Sequence, residues 1–153
     1  EKTAAGTVNT SWRKPIQLIL VENDEAEAAA IHRACEMIGV HGEITRFHDG
    51  HEALAALQGP FGSQLLTKPF LILLDLDLPD KGGLAFLDAL RADPILRRSI
   101  VFAVSHSTRD EDKAAAYDRR VAGYLVKDVF AHDYTTLCDL LDVYGRSIQF
   151  PLA

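Results

Sequence analysis

FLILLDLDLPDKGG, residues 70–83, opens with the most apolar run of the chain and closes in an acidic turn containing Pro79, Gly82 and Gly83. Phe70 to Leu74 is too short for a helix and does not alternate with polar residues, so it reads as a strand buried on both faces. Working outward, Ile16 to Val21 (IQLILV), Ile100 to Val104 and Gly123 to Val126 read the same way, and Glu43 to Phe47 as a weaker strand. Helical patterns fill the gaps. Glu25 to Met37 carries Ile31, Ala34, Cys35 and Ile38 at helical spacing, with Gly39 as its stop. Glu52 to Leu57 is a short helix ended by Gly59-Pro60 and followed by a loop; Leu84 to Arg91, Asp110 to Tyr117 and Tyr134 to Tyr144 complete the series.

Five strands alternating with five helices predict an α/β fold with a flavodoxin-like, doubly wound parallel sheet in the order 2-1-3-4-5. Domain boundaries follow: a polar N-terminal arm over 1–14, one folded unit over 15–145 and a C-terminal tail over 146–153. With 153 residues the chain suits a single core, and 25% charged residues is ordinary for a globular protein. The net charge of -6 argues against nucleic acid as a partner, because that needs a basic footprint. No apolar run is long enough for a bilayer, and the arm has no signal-peptide core, so a cytoplasmic protein is expected. Cys35 and Cys138 are too few for a disulfide framework and read as reduced thiols.

In such sheets the chemistry lies beyond the carboxyl ends of the strands, where strand order reverses. There the sequence has Glu22-Asn23-Asp24 after strand 1, Asp75 and then Asp77 after strand 3, Ser105 after strand 4 and Lys127 after strand 5. Oxygen donors with no Cys or His among them suit a hard cation such as Mg²⁺, which with Lys127 relieves the repulsion between carboxylates. A carboxylate can attack phosphorus and form an aspartyl phosphate, a transfer that needs positioning and charge neutralisation more than acid-base work. Asp75, after the most buried strand, is the candidate nucleophile. Plainer alternatives stand beside these readings: Asp24 as a helix cap, Lys127 as a surface lysine and Tyr124 as core.

Taken in order, LILVENDEAEA, FLILLDLDLPDKGG, VFAVSHS and AGYLVKD resemble the receiver domain of two-component response regulators, from Ile16 to about Tyr144. The resemblance implies Asp75 as phosphoacceptor, Glu22 and Asn23 at the paired Mg²⁺-holding positions, and Asp77 supplying a backbone carbonyl to the metal, with Mn²⁺ or Ca²⁺ able to substitute. It implies Ser105 as the hydroxyl and Lys127 as the ammonium that meet the phosphoryl group, and Tyr124 as the aromatic switch that follows Ser105. Asp77 and Ser107 are expected to line the path of the hydrolytic water. Such a chain catalyses only its own phosphotransfer and slow autodephosphorylation. Two departures stand out. Asn23 replaces an acid, which Asp24 could offset, and Asp128 replaces a Pro that is often cis, so a trans bond is expected there.

A narrower resemblance lies in RADPILRRSIVFAVS, the Glu22-Asn23 start and the Phe150-Pro151-Leu152 tail, which look like regulators paired with phytochrome-type histidine kinases. It implies a red-light-sensing kinase as donor. It also implies a homodimer through the face of the fourth helix, fifth strand and fifth helix, with the tail crossing the partner. Two other functions compete: a phosphorylation-independent interaction module, favoured by Asn23, and an enzyme on the same sheet, disfavoured by the lack of a GxGxxG loop or Walker lysine.

Overall fold

The computed structural model describes residues 16–37, 42–65 and 67–151; the expected arm over 1–14, the Gly39 stop and Leu152 lie outside them. Five strands form one parallel sheet: β1 (Gln17–Val21), β2 (Ile44–Phe47), β3 (Phe70–Asp75), β4 (Ile100–Ser105) and β5 (Gly123–Val126), ordered β2-β1-β3-β4-β5. The register is continuous, Ile19 opposite Ile72, Ile72 opposite Val101 and Ala103 opposite Tyr124. The unbroken apolar strands feed two cores because successive side chains leave opposite faces. Ile19, Val21, Ile72, Leu74, Val101 and Ala103 pack toward one side, and Leu18, Leu20, Leu71, Leu73, Phe102 and Val104 toward the other.

Among the described residues seven α-helices cover these faces where five were expected. Helices α1 (Glu25–Met37) and α7 (Thr135–Ser147) contribute Ile31, Ala34, Leu137 and Leu141 to the second core. Helices α2 (Gly50–Gln58), α4 (Gly82–Ala92) and α5 (Asp110–Asp118) contribute Ala53, Phe86, Leu87 and Ala116 to the first. The two additional elements are short. Helix α3 (Pro60–Leu65) occupies the expected loop: Gly59 closes α2 through its N–H on the Ala56 carbonyl, and Pro60, which lacks a donor, starts the next helix rather than only stopping the last. Helix α6 (Lys127–Phe130) is one turn on the end of β5 that buries Phe130.

Helix α7 runs through Ser147, past the expected boundary at 145, and Phe150 of the following segment packs against its own chain's second core. The ring of Tyr144 meets Phe102 edge-on at 4.9 Å between centroids. Among the described residues no helix is long and apolar enough to cross a membrane.

Candidate functional site

Strand order reverses between β1 and β3, and the buried charge is at that point. Among the described residues five polar or charged side chains are buried, and four belong here: Glu22 (1% exposed), Asp75 (2%), Ser105 (3%) and Lys127 (7%). Carboxyl and ammonium groups are almost never buried without partners, so their concentration at one sheet edge marks a site rather than a core.

Each group is placed by its strand or by the turn that follows. β3 runs one residue further than expected, so Asp75 is its last member, one residue past the Val21–Leu74 pair and opposite Val104 of β4. Leu76 continues the ladder by donating to the Val104 carbonyl at 2.8 Å, and the Asp77 N–H donates to Asp75 Oδ1 at 2.8 Å. Gly83 lets α4 pack against this turn: a Cβ there would lie 2.9 Å from both the Asp75 carbonyl oxygen and Leu76 Cα.

The Lys127 ammonium sits among carboxylates, 2.9 Å from Asp75 Oδ1, 3.4 Å from Glu27 Oε2 and 3.5 Å from Asp77 Oδ2. The peptide bond to Asp128 is trans, as the missing proline implied. Burial opposes the charge on Lys127, but the hydrogen bond and charge of Asp75, with Glu22 and Glu27 behind it, hold the ammonium above its ordinary range. The Ser105 hydroxyl donates to Asp77 Oδ1 at 2.6 Å and accepts the Ser107 N–H at 3.0 Å. Asp77 also accepts the His106 N–H at 2.9 Å. Burial would raise the Asp77 carboxyl, yet these donors and Lys127 hold it below the usual range. The His106 ring turns outward to Asp128, Nδ1 to Oδ1 2.8 Å.

Glu22 has the opposite fate. Burial first, then its hydrogen bond to Asp75 and that neighbour's charge, push its carboxyl up to about 8, against the Asp24 N–H and Lys127. The pair therefore holds a proton near neutral pH. Oxygen atoms of Glu22, Glu27 and Asp75 come within 4.8 Å of one another. An all-oxygen, carboxylate-rich set in which one member is forced to stay protonated fits a divalent cation, which would displace that proton.

The structure redistributes the expected residues. Glu22, Asp75, Ser105 and Lys127 come together, with Asp77 at the rim. Asp24 does not join the acid cluster. Asn23 is exposed, and Asp24 Oδ1 caps α1 by accepting the Glu27 N–H at 3.0 Å, as the plainer alternative had it. The third carboxylate is Glu27, in the first turn of α1, which sequence reasoning passed over; it also accepts from the Tyr134 hydroxyl at 3.4 Å. A signal was present, since Glu27 precedes Ile31, Ala34 and Cys35 by four, seven and eight residues and so shares their sheet-facing stripe. Burial and the Glu27 charge push the Tyr134 phenol up to about 12.

Tyr124 lies half-buried against the first core, its hydroxyl donating to the Ser107 carbonyl at 2.9 Å and its N–H to the Tyr117 oxygen at 3.2 Å. The Ser107 hydroxyl donates to Asp112 Oδ2.

Comparison with known proteins agrees with this geometry. The family described as response regulator receiver domain matches residues 18–138. The probable methanogenesis regulatory protein FilR2 of Methanothrix harundinacea is 35% identical over 119 residues, covering 78% of this chain and 76% of that protein. Response regulator Rcp1 of Synechocystis is 32% identical over 113 residues, covering 74% and 77%. The Mn²⁺-bound crystal form of Rcp1 superposes with a TM-score of 0.73 at 27% identity, covering 91% of this chain and 99% of that one. The phosphorylated cyanobacterial phytochrome response regulator RcpA gives 0.70 at 29% identity, covering 88% and 97%. A reversed-order parallel sheet, an acid pair and lysine buried at its carboxyl edge, and a match through 18–138 together place this chain in the response regulator receiver family.

Proposed function

We propose that this chain is a response regulator receiver whose Asp75 takes a phosphoryl group from a histidine kinase of the phytochrome type, in the cytoplasm. The observation that carries the reading is the buried ion pair of Asp75 and Lys127, 2.9 Å apart, with the Ser105 hydroxyl held at the same edge. An Asp75 oxygen attacks phosphorus as the phosphorus–nitrogen bond of the kinase phosphohistidine breaks, and the histidine leaves with the bonding pair. Mg²⁺, which Glu22, Glu27 and Asp75 would hold, supplies charge neutralisation to the transferring group when bound. Lys127 stays paired with the product, since its ammonium already faces Asp75. Ser105 exchanges its bond to Asp77 for one to a phosphoryl oxygen.

That exchange is the proposed switch. Ser105 accepts the Ser107 N–H, and Ser107 accepts the Tyr124 hydroxyl through its carbonyl, so a displaced Ser105 reaches Tyr124 in two hydrogen bonds. Phosphorylation then biases an equilibrium between two packings of α5, β5 and α7. Tyr117 on α5 and Leu140 and Val143 on α7 are exposed apolar groups on those elements, which supports the reading of this face as a dimer surface. Slow autodephosphorylation, with Asp77 beside the phosphoacceptor, closes the cycle.

The likeness to RcpA supports the phytochrome pairing. The test is phosphotransfer from an autophosphorylated, red-light-sensing histidine kinase. The chain is expected to take up label, and Asp75→Asn to take up none. Label on both, or on neither, defeats the proposal; label on neither favours the phosphorylation-independent module for which Asn23 argued.

A further inference from the structure

Two nucleophilic side chains have no part in this chemistry. Cys35 on α1 and Cys138 in the first turn of α7 meet in the second core, Sγ to Sγ 2.7 Å, both almost wholly inaccessible to solvent. Sulfur bonded to sulfur lies ~2.05 Å apart, so the two sulfur atoms have only about 0.7 Å to close. We propose that Cys35 and Cys138 are an oxidant-responsive dithiol, converted by a small peroxide into a disulfide that ties α1 to α7.

The step balances with hydrogen peroxide as the named oxidant. The Cys35 thiolate attacks one peroxide oxygen, the oxygen–oxygen bond breaks, and hydroxide leaves, giving a sulfenic acid. The Cys138 sulfur then forms the sulfur–sulfur bond and expels the sulfenic oxygen as hydroxide. The two thiol protons and two hydroxides make two waters. Each sulfur loses one electron, and peroxide gains two. The order of attack follows from the pair itself. The hydrogen bond with Cys138 holds the Cys35 thiol below its ordinary range against the effect of burial, while the same bond and burial hold Cys138 above it.

Burial selects the oxidant. A bulky disulfide such as oxidised glutathione cannot reach the pair without separating α1 from α7, whereas a small neutral peroxide needs only local opening. The position gives the consequence. Glu27 and the hydroxyl of Tyr134 join the same two helices beside Lys127, and the cysteines would clamp them farther along α1. Cys35 and Cys138 are also 103 positions apart, so the cross-link closes a loop around most of the sheet and strongly restricts the unfolded chain. None of this depends on Asp75 being a phosphoacceptor.

The reduced full chain is treated with hydrogen peroxide, quenched with catalase, unfolded in guanidinium with N-ethylmaleimide and weighed intact. The expected product is a monomer lighter than the reduced chain by two hydrogens and free of maleimide, with dithiothreitol restoring two adducts. Two maleimides after peroxide, a product gaining oxygen atoms, or a chain-to-chain dimer overturns the proposal. Cys35→Ser and Cys138→Ser should each abolish the loss of hydrogens. Should either variant fail to fold, a digest of the oxidised wild type must contain the Cys35 and Cys138 peptides joined, and their absence overturns the proposal equally. In urea the oxidised chain is expected to unfold at a higher midpoint than the reduced; coincident midpoints would refute the clamp.

Discussion

Replacing Glu22 by Gln in chelator-containing buffer probes the electrostatics of the buried site by itself. The folded protein holds a proton on Glu22 up to about pH 8, whereas the unfolded chain releases it near the ordinary value of 4.5. Between those values the folded state binds more protons than the unfolded, so stability falls as pH rises through the interval. The displacement corresponds to about 4–5 kcal/mol, absent below pH ~4.5 and fully incurred above pH ~8. Glutamine keeps the shape, can donate to Asp75 as the protonated acid does, and cannot ionise. Urea unfolding across this range should therefore show Glu22→Gln gaining on the wild type as pH rises, by about 4 kcal/mol at the alkaline end. Adding Mg²⁺ should raise the wild type's alkaline stability and leave the variant's nearly unchanged, because the cation replaces the proton it would displace. Parallel pH profiles for the two proteins would refute the argument that burial and Asp75 force a proton onto Glu22.

Further outcomes follow from single contacts. Lys127→Met removes the ammonium from Asp75, Glu27 and Asp77 and should cost about 3 kcal/mol in urea unfolding at neutral pH, as expected for breaking a buried pair. Gly83→Ala places a Cβ 2.9 Å from the Asp75 carbonyl oxygen, forces α4 away from the turn and should destabilise by about 2 kcal/mol, seen as a lowered Tm. Asp49→Ala deletes the cap that accepts the Glu52 N–H at 2.8 Å and should cost about 1 kcal/mol in urea unfolding.

What could be read from the chain followed the strength of the local signal. The runs at Phe70 and Ile100 admit one interpretation, and the β5 bounds, Gly123 to Val126, were legible to the residue. Pro60 was read as a breaker because a proline after glycine stops one helix and starts another with equal ease, and only the packing of Leu65 into the core decides. The one-turn helix from Lys127 is too short to show a period. That Asp75, Ser105 and Lys127 are buried at one sheet edge was legible because strand ends are fixed by the sheet. Glu27 was not, because reading only the residues after each strand stops before the first helical turn, where an acid on the sheet-facing stripe swings back over the site. Asn23 faced solvent once α1 began at Glu25 with Asp24 as its cap. The meeting of Cys35 and Cys138 depends on where α1 and α7 cross, which no local pattern records.

The central claim is that Asp75 is a nucleophile toward phosphorus. Incubating the chain with acetyl phosphate and Mg²⁺, then weighing it intact, tests it without a kinase. The account predicts a single added phosphoryl group on the wild type that hydroxylamine removes, and none on Asp75→Asn. An unmodified wild type, or a phosphoryl group that persists on Asp75→Asn, would contradict it.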